Sequence, residues 1–596
     1  MKIRRNETEQ QFLSRRLQAL KTERSTWDSH WMDINEFILP RRGRFLGMGT
    51  ESNTSAAGAN RNPNDGRKIN DKIIDSTATH ALNILTSGLM SGVTSPARKW
   101  FRLVTPDAAM MKHSAVSQWI EIVERLMYDI FDSTNLYQML PYIYEEMGAY
   151  GTAALVHLPD FENVVRFQAM TIGEYWVSQN HKYEVDTMFR EVPMTCEQIV
   201  TRYGDRSASP AKRWANFSPA VQNAWDRGDY DTWFDTVHVI CPNHEGYVEG
   251  STKKTERKFK QVVYEKGQEG DGTKVLQRSG HKRFPVYVPR WHLMPPDVYG
   301  RSPGMDALGD VKQLQDQQKK KGLAIAKMVN PPMTADPRLK NERMTTLPGD
   351  VTFADAQQGR AGFAPAYMVQ PRLNEFVMDM EDVRQRIRTT MFADLFLMIS
   401  QMDRRQVTAT EIEVRNEEKL LALGPVLERI DNDLLRKLID NTFEDMLEAG
   451  IVPDPPRELE GVELKVEYMS IISMAQRAQG LLGIQDTVNF AASLAQAQVA
   501  AGQEPTAMDK INIDETIDDY ATKRGVPAPI VRSQDEVQEM RDGRNQQKAQ
   551  MAAMATAQQA ADTAKTLSDT KTTGDNLMAE LGIPNAGQGP GGVNVR

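Results

Sequence analysis

Two long segments with apolar stripes bracket a proline- and glycine-rich stretch, and this layout constrains the chain most. Ser302-Pro303 is a helix-start signal, because proline at the first helical position gives up no hydrogen bond. A stripe at helical spacing follows and stops before Asn330-Pro331-Pro332. A second stripe covers about residues 372–398, and residues 330–370 lie between the two. The pattern predicts two long helices around a compact insertion.

The apolar residues of these two helices suit a pair that packs together and against other copies of itself. They recur every three or four residues, which places them on one side of each helix. The candidate packing residues are Leu308, Val311, Ile325, Phe376, Met380, Val383 and Ile387.

Basic residues on and after these helices have two interpretations. Lys319, Lys320 and Lys321 lie on the first helix, and Lys327 follows about two turns later. Arg404 and Arg405 lie in a polar break at residues 400–407. Each group is either a solvated surface, which is common for such residues, or a ring of positive charge that faces a phosphate backbone.

Helical regions and one β-rich block make up the part of the chain before residue 300. Helical spacing covers residues 1–39, 69–93 and 114–150, and Pro40 stops the first of these regions. Short alternating or β-branched runs dominate residues 152–293. The expected fold class is therefore α+β, mostly helical.

The C-terminal third is also expected to be mostly helical. Thr408 and Glu411 have the spacing of a capping box at the start of a third long helix. Gly424 and Pro425 lie inside that helix and predict a kink, because proline removes a backbone donor and clashes with the preceding turn. Residues 462–540 have helical patterns, and the Ala/Gln/Met-rich segment near 546–564 is compatible with an exposed helix.

Length, cysteine content and charge bound the class of protein. A chain of 596 residues exceeds one hydrophobic core, so we expect several domains. Its two cysteines, Cys196 and Cys241, predict no disulfide framework and a reducing site of synthesis. No signal-peptide pattern and no run of about 18 apolar residues is present, which predicts a soluble chain made in the cytoplasm. With a net charge of -8, any contact with DNA should be local or weak.

The sequence carries no recognisable catalytic or cofactor motif. Gly267–Lys274 reads GQEGDGTK, whereas a P-loop needs Gly-Lys-Ser/Thr in that order, so a hairpin tip is expected. Cys241 and His244 are close enough to share a metal, but no second pair has ligand spacing. No serine lies in a nucleophile-elbow pattern. We therefore expect no catalytic residue, metal or cofactor, which favours a structural or conduit role.

Several strings, taken in order, resemble the head-to-tail connector family of short-tailed bacteriophages, the portal proteins of podophages. They are Ser87–Gly92 with Thr94–Arg98 and Trp100-Phe101, Pro289–Trp291 with Tyr299–Gly304, and Thr408–Glu411. Each string alone is moderately specific, whereas their order around the helix–insertion–helix layout is much more so. The resemblance covers about residues 5–530.

The resemblance implies a portal fold of wing, stem, clip and crown, assembled into a dodecameric ring around a central channel. The implied map is residues 1–300 wing, 301–329 first stem helix, 330–370 clip, 371–399 second stem helix, 400–407 tunnel loop, 408–461 long kinked wing helix and connection, 462–540 helical crown, and 541–596 a C-terminal segment that is a barrel-like helix or disordered.

The resemblance also implies partners and a location at the head–tail vertex of the virion, without a membrane. The partners are other copies of the chain, major capsid and scaffolding proteins, the terminase large subunit, tail adaptor and tail tube proteins, and viral double-stranded DNA. Each phosphate contact that is held must be broken for the duplex to move, so an acidic ring with sparse cations would let DNA slide. We therefore expect Lys319, Lys320 and Lys327 to line the channel, and Arg404 and Arg405 to lie near its narrowest point.

Two other classes of protein stay open at this point. A nucleic-acid enzyme with no recognisable motif would show ATP hydrolysis or DNA cleavage by the purified chain. Another phage structural or assembly protein, such as a scaffold or coiled coil, would need sustained heptads. The stripes here are short and are interrupted by Pro425 and by the β-rich block, which disfavours the second class.

Overall fold

The computed structural model describes most of the chain in two compact units. It describes residues 7–40, 71–107, 113–160, 162–204, 214–268, 274–335, 363–365, 373–402, 423–459, 464–468, 487–498, 510–524, 534–569 and a few isolated positions. Unit 1 comprises Met1–Val104, Ile120–Pro455 and Leu464–Gln479, and unit 2 comprises Thr105–Trp119, Pro456–Glu463 and Gly480–Arg596. The expected α+β class is confirmed, since both units contain helix and unit 1 also contains two sizeable sheets.

The helices begin and end at residues whose chemistry favours those positions. Thr8 forms a capping box with Gln11, each side chain accepting a hydrogen bond from the other residue's backbone N–H at 3.2 and 3.1 Å. The helices are α1 (Glu9–Phe37), α2 (Thr77–Gly92), α3 (Ser114–Ser133), α4 (Leu136–Tyr150), α5 (Cys196–Tyr203), α6 (Pro219–Arg227), α7 (Pro303–Val329), α8 (Leu373–Thr390), α9 (Ala393–Met402), α10 (423–430), α11 (Arg436–Glu448), α12 (487–498), α13 (Ile513–Arg524) and α14 (Gln534–Asp569).

The predicted β-rich block forms two antiparallel sheets. A five-stranded sheet has the order β4-β5-β6-β7-β8, and a three-stranded sheet has the order β3-β2-β9. Two-stranded pairs are formed by β1 with β12, β10 with β11, and β13 with β14. The strands are β1 (Phe101–Val104), β2 (Ala154–Asp160), β3 (Val164–Met170), β4 (Tyr175–Gln179), β5 (Val185–Thr195), β6 (Trp233–Pro242), β7 (Phe259–Glu265), β8 (Val275–His281), β9 (Val286–Tyr287), β10 (Met333–Ala335), β11 (Phe363–Pro365), β12 (Lys465–Tyr468), β13 (Lys571–Thr572) and β14 (Asp575–Asn576).

The five-stranded sheet buries apolar residues on both faces, since its strands alternate their side chains. On one face, Leu13 and Leu17 of α1 belong to a buried cluster with strand residues such as Phe189. On the other face, Ile199 of α5 and Val221 of α6 belong to a second cluster with Met194 and Leu276. β7 and β8 pair as a hairpin and Gly267 has φ 87°, so the hairpin expected in place of a P-loop is confirmed.

A helical core in unit 1 holds the two long helices. The helix α7 packs against α1, α4 and α8, and α2 packs against α4, α8 and α9. Two glycines permit close approach: a Cβ on Gly88 would overlap the ring of Phe396, and one on Gly148 would meet Leu82 and Leu85 at 2.8 and 2.9 Å. Gly88 belongs to the SGLMSG string, so that string places a glycine where α2 crosses α9.

The structure corrects three features of the expected secondary structure. The second long helix is not continuous, because Phe392 has φ 56° and separates α8 from α9. Its ring centroid lies 5.9 Å from that of Trp291. The region 69–93 is helical only from Thr77, because Asp75 accepts the Thr77 backbone N–H before the first turn. The region 462–540 contains β12, which pairs with β1 instead of forming helix.

Candidate channel and subunit-contact surface

The start of α7 is fixed firmly to α4. The Ser302 hydroxyl accepts a hydrogen bond from the Met305 backbone N–H at 3.0 Å and donates one to the Ala149 carbonyl at 2.7 Å. Pro303 occupies the first helical turn, as expected. A Cβ on Gly304 would lie 2.9 Å from the Ala149 carbonyl oxygen, so glycine allows the two backbones to approach. The helix predicted over 303–329 is confirmed at these bounds.

The candidate packing residues divide into buried and exposed members. Leu308 and Val311 of α7 are buried, and so are Met380, Val383 and Ile387 of α8. Because α7 packs against α8, the structure brings these five residues into the same helical core. Phe376 is half-buried, and Ile325 is 41% exposed.

The C-terminal half of α7 and the N-terminal half of α8 leave apolar side chains uncovered within one chain. None of the residues after Gln315 in α7 is buried. The large exposed residues of these two half-helices are Leu323, Ile325, Met328, Val329, Val377 and Met378. These exposed side chains are candidates for a contact with another chain.

The lysines of α7 point in different directions. Consecutive residues of a helix are about 100° apart, so Lys319, Lys320 and Lys321 do not share one face, whereas Lys320 and Lys327 lie on nearly the same side. Lys320 forms an ion pair with Asp316 at 2.6 Å. Within the described part of the chain, Lys319 and Lys327 are exposed and have no carboxylate within 4.0 Å. These two cations are therefore available to an external partner.

The other predicted site residues are described only in part. Arg404 and Arg405 lie outside the described residues, as does the capping box at Thr408. Gly424 and Pro425 lie in the first turn of α10, and the residues before 423 are not described, so a kink there stays a prediction. The described irregularity comes later, where Asp431–Leu435 forms a π-helical turn between α10 and α11.

Sequence reasoning missed a partly buried polar cluster at the junction of α2, α7 and α8. Its members are Asp75, Thr77, Gln315, Gln318 and Arg384. Burial alone would raise the pKa of the Asp75 carboxyl, but hydrogen bonds from Thr77, Arg384 and Gln318 outweigh it and hold the pKa at about 2. The sequence did contain a signal for this cluster. Gln315 and Gln318 interrupt the apolar stripe of α7, and buried polar side chains need hydrogen-bond partners.

A cleft of about 460 Å³ lies between the two sheets of unit 1 and contains two histidines. Burial, and after it the charges of Arg190 and Arg202, lowers the pKa of His238 to about 3. Burial likewise lowers the pKa of His281 to about 4, with Arg257 contributing. Among the described residues that line this cleft, none carries a carboxylate or thiol that could pair with a histidine in acid–base or nucleophilic chemistry.

In the part of the chain that the structure describes, no three His, Cys, Asp or Glu side chains are grouped to hold a metal ion. Among those residues, no helix combines the length and the apolar character that crossing a bilayer requires.

Comparison with known proteins identifies the class. The family model described as bacteriophage head to tail connecting protein matches residues 10–531. The chain therefore belongs to this family of head-to-tail connectors, the portal proteins.

Two relatives match nearly end to end. The portal protein of Salmonella phage epsilon15 is 40% identical over 576 residues, covering 96% of this chain and 98% of the relative. The probable portal protein of Bordetella phage BPP-1 is 38% identical over 579 residues, again covering 96% of this chain and 98% of the relative. The family expected from the ordered strings is confirmed.

Proposed function

We propose that this chain forms a dodecameric ring at one vertex of a phage head, through which double-stranded DNA is packaged and ejected. The proposal is supported by the exposed apolar residues on the C-terminal half of α7 and the N-terminal half of α8, in a chain that belongs to the connector family. Closing a ring of identical subunits requires two different surfaces of each copy to meet. Leu323, Ile325 and Val329, with Val377 and Met378, are our candidates for that contact.

We assign the parts of the chain to a portal map as follows. Residues 1–300 and 408–461 form the wing, α7 and α8 form the stem, residues 330–370 form the clip, residues 462–540 supply the crown, and residues 541–596 form the C-terminal segment. The tunnel loop was expected at residues 400–407, but α9 extends to Met402, so we assign the loop to residues 403–407. The second stem helix ends at Thr390 in this assignment, because Phe392 has a left-handed backbone conformation that interrupts the helix. The 36-residue helix α14 covers the Ala/Gln-rich part of the C-terminal segment, which favours the helical alternative there.

The cations that face DNA are few in this proposal. Lys319, Lys320 and Lys327, with Arg404 and Arg405, are the candidates for the channel wall. Lys319 and Lys327 are the stronger candidates, because both are exposed and neither has a carboxylate within 4.0 Å among the described residues, whereas Lys320 is paired with Asp316. Sparse charge suits a conduit, since a dense ring of phosphate contacts would hold the duplex in place.

Packaging and tail attachment require further proteins in this proposal. The terminase large subunit supplies ATP hydrolysis and docks at the clip during filling, and tail adaptor and tail tube proteins take the same surface afterwards. Major capsid and scaffolding proteins surround the wing at the head–tail vertex of the virion. The chain itself acts as a structural protein without catalysis or a cofactor.

The native mass of the purified protein tests the ring. Twelve copies of a 67.3 kDa chain have a mass of about 808 kDa, which light scattering resolves from a monomer. A mass near that value, with ring-shaped particles in negative stain, supports the proposal. A monomer or dimer that stays small at high concentration contradicts it and returns attention to ATPase and nuclease assays.

Packaged DNA length tests the channel charges separately. Replacing Lys319, Lys320 and Lys327 together by alanine removes three positive charges per subunit without touching a buried residue. We expect rings of normal mass with altered packaging or retention of DNA. Unchanged packaging and retention would mean that these lysines do not face the duplex.

A further inference from the structure

One buried carboxylate joins three separate parts of the chain. The Oδ2 atom of Asp75 accepts hydrogen bonds from Arg384 Nη2 at 2.8 Å and Nε at 3.1 Å. The same oxygen accepts a third from Gln318 Nε2 at 3.0 Å, and Oδ1 accepts the backbone N–H of Thr77 at 2.9 Å. Asp75 precedes α2, Gln318 lies on α7, and Arg384 lies on α8. A single side chain therefore connects both long helices to the start of α2.

The amide of Gln315 holds the same segment through its backbone. Gln315 Oε1 accepts from the backbone N–H groups of Ile74 and Asp75 at 2.7 and 2.9 Å, and its Nε2 donates to the Asp75 carbonyl at 2.8 Å. Gln315 is buried on the α7 stripe. These three bonds involve the backbone of residues 74 and 75 and hold that segment along α7, in addition to the contact of the Asp75 side chain with α8.

Polar and apolar contacts constrain a helix pair differently. Apolar packing between α7 and α8 tolerates small rotations and shifts, because dispersion attraction has little dependence on direction. Hydrogen bonds weaken steeply when their angles change, and bonds between a guanidinium group and a carboxylate are shorter and stronger than neutral ones. The Asp75 side chain is only 8% exposed, so water does not readily replace a lost partner.

We propose that Asp75 is a positioning residue that sets the rotation and axial position of α7 and α8 relative to α2, and so fixes where their DNA-facing side chains lie. This inference rests on the proposed function, because it assumes that α7 and α8 surround the DNA. Through Arg384 and Gln318 the carboxylate sets both helices at once. A change at Asp75 therefore alters the conduit without touching any residue that contacts DNA.

A matched pair of variants tests the inference. Asp75→Asn keeps the size of the side chain but removes the charge that Arg384 and Thr77 recognise. The control is Asp33→Asn, which removes an ion pair of 2.8 Å between α1 and Lys312 of α7 that is 42% exposed on each side. Both changes remove one acidic partner of α7, but only Asp75 is buried and reaches α8.

Three measurements are made on each variant: ring mass, packaged DNA length, and hydrogen exchange at the Ile74 and Asp75 amides. For Asp75→Asn we expect rings of wild-type mass, shortened or poorly retained DNA, and exchange at least about tenfold faster at the two amides. Asp33→Asn should match the wild type in all three, since exposed ion pairs contribute little. Asp75→Asn rings that package and retain full-length DNA would overturn the inference.

A milder variant covers the case in which Asp75→Asn does not assemble. Arg384→Lys keeps a positive charge beside Asp75 but removes the guanidinium group, whose two N–H groups donate to the carboxylate. Rings of Arg384→Lys with normal mass and defective packaging support a positioning role, and rings with wild-type packaging overturn it. Failure of the wild-type chain to form a ring would instead contradict the proposed function, so the two failures are distinguishable.

Discussion

Gly151 and Gly300 lie backbone to backbone, so that a Cβ added to either would overlap the carbonyl group of the other. The contact is held by hydrogen bonds from the Trp291 N–H to the Gly151 carbonyl at 2.9 Å and from the Gly300 N–H to the Thr152 hydroxyl at 2.8 Å. Gly151 also has φ 80°, a conformation that favours glycine. The contact explains Gly300, the first of the two glycines in the Tyr299–Gly304 string.

Gly300→Ala is expected to lower the free energy of unfolding by about 1–3 kcal/mol, because the methyl group meets backbone that cannot move aside cheaply. The control is Gly309→Ala inside α7, where a Cβ meets nothing within 4 Å. That variant should gain up to about 1 kcal/mol from helix propensity. Denaturant unfolding of the two variants measures the difference, and equal stabilities would contradict the overlap.

Substitutions at two leucines of α7 allow the stability of the fold and the assembly of the ring to be tested separately. Leu314 is 1% exposed and Leu323 is 54% exposed. Leu314→Ala should cost about 2–5 kcal/mol of unfolding free energy, because it leaves a cavity in the helical core. Leu323→Ala should leave the stability of the single chain within about 0.5 kcal/mol but weaken the ring. Unfolding of the dissociated chain and light scattering of the assembled protein measure the two effects, and an unaffected ring would remove Leu323 from the subunit contact.

We expect the buried His238 to make the stability of the five-stranded sheet sensitive to acid. Its pKa is lowered from 6.5 to about 3, first by burial and then by Arg190 and Arg202. Because the unfolded chain binds this proton more readily than the folded one, the contribution to stability is present above pH 6.5 and is lost as pH falls from about 6.5 towards 3. His238→Gln should therefore show a shallower loss of unfolding midpoint between pH 7 and pH 4, and parallel curves would contradict the assignment.

We expect Asp431, in the π-helical turn, to make the stability of the fold depend on pH in the opposite direction. Burial raises its pKa from 3.8 to about 7, although Arg436 opposes the shift. The folded chain holds this proton more tightly than the unfolded one, so the carboxyl destabilises the fold increasingly as pH rises from about 4 to 7. Asp431→Asn should therefore raise the unfolding midpoint at pH 8 and change it little at pH 4. Thermal unfolding of both proteins at the two pH values checks this, and a lower midpoint at pH 8 would contradict it.

Local signals explain how well α7 could be predicted. Ser302-Pro303 marks its first turn and Asn330-Pro331 its end, and both marks act through nearby backbone atoms, so sequence alone was sufficient. The family could be predicted because its strings contain glycines that the fold requires, such as Gly88 and Gly300.

The missed features depend on residues that are far apart in the chain. The break between α8 and α9 involves Phe392 and Trp291, about one hundred positions apart, and β1 finds its partner β12 more than three hundred and fifty positions later. The Asp75 cluster likewise joins three distant segments. Neither propensity nor periodicity reports such contacts, because both depend only on neighbouring residues. The sequence was sufficient to choose Lys319, Lys320 and Lys327 as candidates for the channel wall. It did not show that these lysines point in different directions from the helix.

The break at Phe392 also separates two mechanical elements. A continuous helix over 373–402 would act as a rigid rod and pass any torque on α8 directly to α9. The left-handed residue ends the rod at the point where the Phe392 ring packs on Trp291, and Phe396 stays beside Gly88 of α2. The axis of α8 is therefore not continued into α9, and each helix is held beside α2 by a contact of its own, α8 by Arg384 on Asp75 and α9 by Phe396 at Gly88.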